Sequence, residues 1–369
     1  MSLRAVSSAP MPRFRTDLDV ISRYKPGRPI AEVAREHGLD PASFIKLASN
    51  ESPYGPFPAA VEAMREAASG TNRYPDNEGH DLRVALAKDL DVDYSNVWLG
   101  GGSSELIRSV AIAAGGPGTT AVYAWPSFVI YRLGTLWAMA EPRQIPLNDG
   151  FQHDLGSMAD AIDDTTTVVY ICNPNNPTGT AVSPDEIERF VAEAPPDVTV
   201  VIDEAYYEFV TTPGHRTMIP LALERENVVV TRTFSKIYAL AALRVGYAVA
   251  NADTIADLRR VQAPFSVTQP GQAAAMASLA DQTLKEERAA ENADERTRIL
   301  NALTTRGVEH TQSEANFIWL RCAEVDDPQD AFVSHGVIVR HFGTEWIRVT
   351  VGTPEENDRF LNALDVVRG

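Results

Sequence analysis

Residues 231–247 read TRTFSKIYALAALRVGY, entered from the apolar run Val228-Val229-Val230 and left through Val245-Gly246-Tyr247. An apolar run of this kind predicts a buried strand, which delivers a loop whose only amine is Lys236, flanked by Thr233 and Ser235 and followed by Arg244. Burial disfavours the ammonium form and lowers the pKa of such a lysine, and an unprotonated amine condenses with an aldehyde. Two hydroxyls and a guanidinium are donors suited to a phosphate. An aldehyde and a phosphate on one small molecule describe pyridoxal 5′-phosphate. A surface lysine in a hydroxyl-rich loop would give the same short pattern, so the rest of the chain has to decide.

Outward from this loop the same grammar repeats. Asn96–Leu99 runs into GGGSSELI, Thr119–Ala124 into WPSFVIY, Thr166–Cys172 into NPNNPTG, Val198–Ile202 into DEAYYEF, and Val228–Thr231 into RTFSK. Strand, loop and helix in alternation predict an α/β fold with a mostly parallel open sheet sandwiched by helices. Ligands of such sheets bind beyond the carboxyl ends of the strands, where every chemically promising group of this half falls. After Gln262-Ala263-Pro264-Phe265 the pattern changes to long charged helices over about 272–305 and strands at 316–321, 337–340 and 346–351, a smaller α+β C-terminal domain. Thr353 reads as the N-cap of the last helix, with acidic residues behind it. The expected division is an N-terminal arm (1–45) packing on the small domain, a large cofactor domain (46–265) and the small domain (266–369). In the arm, Pro10, Pro12, Pro26 and Pro29 keep the chain extended and Gly38 stops a helix over Ile30–His37.

The chain has 369 residues, a formal charge of −17 and a pI near 4.9, and no basic run offsets the repulsion of nucleic-acid phosphates, so nucleic acid is not an expected partner. Cations for an anionic substrate must then be local. Cys172 and Cys322 form no paired framework, and the histidines show no metal-ligand spacing, so no metal is expected. The N-terminus lacks the apolar core of a secretory signal and no run is long enough to span a bilayer; the expectation is a cytoplasmic protein without membrane partners.

Asp203 follows an apolar run, so its carboxylate is costly unless it meets a cation such as a protonated pyridine nitrogen; a helix N-cap is the alternative. Tyr206 and Asn176 can donate to a ring oxygen. Phe128 can stack on the ring or belong to the core. Gly100–Ser104 is a glycine-rich turn into a helix, where backbone N–H groups attract a phosphate. It fits neither a Walker A loop nor a Rossmann fingerprint, and Glu105 breaks the serine-hydrolase elbow.

With these residues in view, the sequence resembles the fold-type I PLP aminotransferases, and within them the histidinol-phosphate aminotransferases. The likeness runs through YKPGRPIAEVAREHGLD (24–40), KLASNESPYGP (46–56), NRYPD (72–76), NPNNPTG (173–179), VIDEAYYEF (201–209), TFSKIYALAALRVGY (233–247) and IRVTVGTPEEN (347–357). The resemblance implies that Lys236 bonds to the cofactor and that Asp203 binds its ring nitrogen. It assigns Asn176 and Tyr206 to the ring oxygen, and Gly102, Ser103, Ser104, Thr233, Ser235 and Arg244 to the phosphate. Tyr74 would reach the phosphate of a neighbouring subunit, making a homodimer with sites at the subunit boundary. Arg348 would hold the substrate anion, with Tyr24, Asn50, Tyr131 and Arg340 also at the substrate. The implied reaction is ping-pong transamination between histidinol phosphate and 2-oxoglutarate, Lys236 acting as the base. An aromatic amino acid as donor is the alternative, and an amino-acid phosphate decarboxylase on the same fold a further one. Three departures from the family bear on this: GGGSSELI lacks the usual Asn and Asp beside the turn, ALAALR stands where glycines are usual, and HFGTEW (341–346) is short.

Overall fold

The computed structural model describes residues 15–24, 27–325 and 327–369, so Pro10, Pro12 and Pro26 of the expected arm lie outside the described residues. A short strand β1 (Ile45–Lys46) precedes the central sheet. That sheet comprises β2 (Val97–Gly100), β3 (Thr120–Trp125), β4 (Glu141–Pro146), β5 (Thr166–Cys172), β6 (Thr199–Asp203), β7 (Val228–Thr233) and β8 (Gly246–Ala250). Its order is β2-β8-β7-β6-β5-β3-β4, with every neighbour parallel except β8, which runs antiparallel to β2 and β7. The strand pattern of the sequence anticipated the parallel run but not two members. β8 returns from the lysine loop without a crossover helix, which forces antiparallel pairing. β4 is an edge strand of partly exposed, polar residues with two prolines, which edges tolerate and apolar pattern-reading overlooks.

Alternation explains why the inner strands are apolar throughout. Val200 and Ile202 face one core while Val201 faces the other, and Val228 and Val230 divide from Val229 in the same way. The first core is closed by α2 (Pro58–Ala68), α3 (His80–Leu90), α6 (Leu155–Asp160), α7 (Pro184–Glu193), α8 (Ile219–Glu224) and α10 (Gln269–Leu279). The second is closed by α4 (Ser103–Ala114), α5 (Val129–Trp137) and α9 (Ala252–Leu258).

A separate core fills the C-terminal part. There β9 (Phe317–Arg321), β11 (Arg340–Phe342) and β12 (Trp346–Thr350) form an antiparallel sheet in the order β11-β12-β9. The strand β10 (Val337–Ile338) pairs with β1, and α12 (Pro328–Ser334) and α13 (Pro354–Arg368) cover the apolar side. Thr353 caps α13 in a capping box with Glu356. In the arm, α1 (Ile30–His37) ends at Gly38 with φ of +65°, and its Val33 and Ala34 are buried with Phe44 against Val333 and Ile338. The large core does not stop at residue 265: α10 buries Ala274, Ala275 and Leu279 in it. The long helix α11 (Gln282–Thr305) then packs Leu284 and Ala289 on the large core and Ile299 and Leu303 in the small one. Among the described residues no helix is long and apolar enough to cross a membrane.

Candidate active site

The loop after β7 takes its shape from alternate anchoring. Phe234 is buried against Tyr238 and Tyr247, with ring centroids 4.8 and 5.8 Å away, and its N–H donates to Val245 O at 3.0 Å. Ile237, Tyr238 and Leu240 are buried in the same core. Thr233, Ser235 and Lys236 are thereby turned to a cavity of about 760 Å³, at the carboxyl ends of β5, β6 and β7. Lys236 Nζ donates to Asn50 O at 3.0 Å and Ser49 O at 3.4 Å. Burial, reinforced by the charges of Arg348 and Arg244, lowers its pKa from 10.5 to about 7, against the pull of Glu51 and Asp203.

Asp203 ends β6, 2% exposed. Its carboxylate accepts from Tyr131 Oη at 2.8 Å and Thr231 Oγ1 at 3.1 Å, yet burial outweighs these bonds and raises its pKa to about 6. Among the described residues no cation lies within ion-pair distance of it. The Tyr206 hydroxyl accepts from Asn50 Nδ2 at 3.0 Å and Asn176 Nδ2 at 3.3 Å, which leaves its own proton free to be donated into the cavity. Burial pushes that phenol well up, so it stays protonated. Asn176 Oδ1 accepts from Arg348 Nη1 at 2.5 Å, and Arg348 Nη2 donates to Ala48 O at 2.8 Å. The Arg348 guanidinium is buried, which lowers its pKa to about 10 and still leaves it charged near neutrality.

The other end of the cavity gathers phosphate-type donors. Ser103 and Ser104 open α4, preceded by Gly102 with φ of +81°, where a Cβ would stand 2.4 Å from Arg244 Nη2. Gly246 of β8 comes so close that a Cβ there would lie 2.5 Å from Ser103 N. Thr233 Oγ1 donates to Ser235 Oγ at 2.9 Å, and Arg244 Nη1 approaches the same oxygen at 3.5 Å. A helix N-terminus, four hydroxyls and a guanidinium converge as an anion site. The cradle survives the missing Asn and Asp because its donors are backbone N–H groups and hydroxyls.

Phe128, Tyr24, Asn50 and Arg340 also line the cavity, with Arg340 opposite Arg348 across the β11–β12 pair. Two expected residues stand elsewhere. Tyr131, read as a substrate contact, is fully buried on α5, stacked on Tyr170 at 4.8 Å, and meets Asp203 from beneath the cavity. Tyr74 is 82% exposed and stacked on Phe265 at 4.5 Å, outside the cavity of its own chain.

Several supports were not read from the sequence. Thr231 is one: adjacent parallel strands set it level with Asp203 and Cys172, so a hydroxyl closing the run Val228-Val229-Val230 was a usable signal. Another is the group around Asn175. Asn175 Nδ2 donates to Pro126 O and Thr178 Oγ1, so its Oδ1 is the acceptor for Ser127 Oγ at 2.7 Å and for His153 Nε2 at 3.2 Å. Burial lowers the His153 pKa to about 4, so the ring is neutral and carries its proton on Nε2. Sequence distance hid this contact between the β4–α6 connection and NPNNPTG.

The model of the aminotransferase class I and II family matches residues 42–364. The chain belongs to the class I and II aminotransferases. Like other members it is a fold-type I, PLP-dependent aminotransferase that takes an amino donor and a 2-oxo acid. It is 43% identical over 351 residues to an aromatic amino acid aminotransferase of Thermobifida fusca, covering 95% of this chain and 96% of that one. It is 40% identical to histidinol-phosphate aminotransferase 1 of Cupriavidus pinatubonensis, covering 94% of both. Among solved structures it is similar to histidinol-phosphate aminotransferase from Sinorhizobium meliloti in complex with pyridoxal-5′-phosphate, with a TM-score of 0.88, 28% identity and 98% coverage of both chains. The aminotransferase site fits that cofactor: the α4 cradle suits the phosphate, and the unpaired buried carboxylate of Asp203 suits a protonated ring nitrogen.

Proposed function

We propose that this aminotransferase takes an aromatic amino acid as amino donor and 2-oxoglutarate as acceptor. The observation that carries the reading is the aromatic wall of the small sheet. Phe342, on the cavity, lies 4.9 Å from Trp319, which stacks on Trp346 at 5.3 Å and 9°, with Phe151 against Trp346 at 4.9 Å. Backed in this way, Phe342 is a fixed apolar surface for a substrate ring, beside the single buried guanidinium of Arg348 that suits one carboxylate. Histidinol phosphate is the second reading, favoured by Arg340 facing Arg348: a phosphate near −2 asks for more than one cation. The names of the Thermobifida and Cupriavidus relatives divide along the same line.

In this reading the cofactor supplies the electron sink that makes the substrate's amine-bearing carbon acidic. Lys236 Nζ accepts the proton from that carbon. Asp203 would balance the charge of the ring nitrogen, Tyr206 and Asn176 would donate to the ring oxygen, and Phe128 would pack on the ring. Arg348 would orient the substrate toward Lys236, with which it lines the cavity, by gripping the carboxylate. Half-reactions with one substrate, followed by cofactor absorbance, test the choice. Phenylalanine is expected to outpace histidinol phosphate; Phe342→Ala is expected to slow phenylalanine about tenfold, for roughly 1.4 kcal/mol of lost ring contact. Arg340→Ala is expected to weaken histidinol phosphate more than phenylalanine, by about 1.5–3 kcal/mol. A wild-type preference for histidinol phosphate would move the assignment to the second reading.

We also propose a homodimer in which Tyr74 completes the neighbour's site, supported by its exposure outside the cavity of its own chain. Mixing Lys236→Ala with Tyr74→Ala subunits is expected to restore activity, because one site of each hybrid has an intact lysine and an intact tyrosine. An active monomer in sedimentation would sink this arrangement.

A further inference from the structure

Lys236 does not hang free in the cavity; its amine rests on the main-chain oxygens of Asn50 and Ser49. Asn50 is itself held from three directions. Its N–H donates to Thr350 Oγ1 at 2.9 Å, its Nδ2 donates to Tyr206 Oη at 3.0 Å, and its carbonyl accepts from Asn316 Nδ2 at 3.2 Å. The backbone there is in the left-handed region, with φ of +52°, a conformation that asparagine tolerates better than most residues and that neighbours must hold in place.

Asn316 precedes β9 and is 2% exposed. A carbonyl only accepts, so the bond to Asn50 O fixes which end of the Asn316 amide faces it. The other end, Oδ1, is buried without a hydrogen-bond partner among the described residues. It belongs to a chamber of about 20 Å³ on the far side of Lys236, lined also by Asn292 and Arg288 of α11. Asn292 Oδ1 and Arg288 Nη1 are likewise buried and unpartnered among the described residues. A water needs roughly 10–15 Å³ of such space and two to four polar partners, and this chamber offers both.

We propose that Asn316 is a positioning residue for Lys236, holding the Asn50 carbonyl against the lysine amine, with one water in the chamber completing the far side of its amide. The inference rests on Lys236 being the reactive amine. Its physical content is that the carbonyls stabilise the charged amine, while burial favours the neutral one. Asn316 therefore sets the balance without touching substrate or cofactor. If the carbonyl is released, the ammonium loses an acceptor and the amine titrates at lower pH.

The full-length chain, stripped of cofactor, tests this through the pH dependence of acylation at Lys236, read by peptide mass spectrometry. Asn316→Leu and Asn316→Ala both remove the donor to Asn50 O, and the alanine variant leaves the chamber room for water should the leucine variant fail to fold. The labelling midpoint is expected to fall by at least half a unit, about a threefold change in the protonation constant, with the thermal midpoint little altered. A folded variant with the wild-type midpoint would overturn the proposal, whatever its activity, and leave Asn316 a brace between β9 and the segment after β1. Failure of the underlying reading looks different: Lys236→Ala would then retain turnover while the Asn316 profile still moved.

Discussion

Replacing Lys236 with alanine is expected to slow amino transfer by about four orders of magnitude, and to abolish the visible absorption through which bound PLP is followed. A positioned general base alone accounts for about 10²–10⁴ in rate, and this substitution also removes the one lysine among the described residues that line the cavity. The amine is suited to the task because burial lowers its pKa from 10.5 to about 7. The sign matters: a cationic group with a depressed pKa gives up its proton nearer neutrality, so Lys236 is available as a base at a pH where an ordinary lysine is still protonated. Lys236→Arg serves as the control, since it keeps a cation over Ser49 and Asn50 but offers no base at any working pH. Single-substrate half-reactions in a stopped-flow instrument, with cofactor content measured separately, check the result. Turnover of Lys236→Ala within tenfold of the wild type would remove Lys236 from the chemistry.

The sequence was most legible where a single strand decides the geometry. Lys236, Asp203 and Asn176 each follow an apolar run whose length and alternation announce a buried parallel strand, and the carboxyl ends of neighbouring strands necessarily come together. Legibility fell where geometry depends on a partner distant in sequence. Resemblance placed Tyr131 at the substrate, but α5 turns its hydroxyl onto Asp203 from below. The aromatic wall of Phe342, Trp319 and Trp346 is formed by the register of three short antiparallel strands, and register is not written in any one of them. The hold of Asn316 and Thr350 on Asn50 spans 266 and 300 residues, beyond the reach of any local pattern. Resemblance supplied Arg348 and Arg340 as anion groups. Which anion they meet depends on the aromatic wall beside them, where the short 341–346 segment offered little to read.

Asp203→Asn is expected to leave the fold and the phosphate cradle intact and to slow the half-reaction by two to three and a half orders of magnitude. Asp203 is a buried carboxylate with two hydroxyl donors and, among the described residues, no cation within ion-pair distance, and burial raises its pKa to about 6. A cationic ring nitrogen brought against it reverses that balance, lowering the carboxylate's pKa and keeping the pair ionised across the neutral range. Asparagine fits the same space and can still accept from Tyr131 or Thr231, but supplies no charge. Removing one partner of a buried ion pair costs about 3–5 kcal/mol, which is the stated loss when it is felt in the proton-transfer step. Tyr131→Phe tests the support separately. It removes a hydrogen bond to a charged group, about 1.5–3 kcal/mol, and favours the protonated carboxyl. The acidic limb of its pH–rate profile should therefore move to higher pH, because a carboxylate that loses a donor is ionised only at higher pH. The two variants together separate charge from anchoring. If Asp203 only tied down the loop after β6, Asp203→Asn would react like the wild type and Tyr131→Phe would leave the pH profile in place. If it is the counter-charge, the asparagine variant is slow at every pH, while the phenylalanine variant recovers most of its rate as the solution becomes more alkaline.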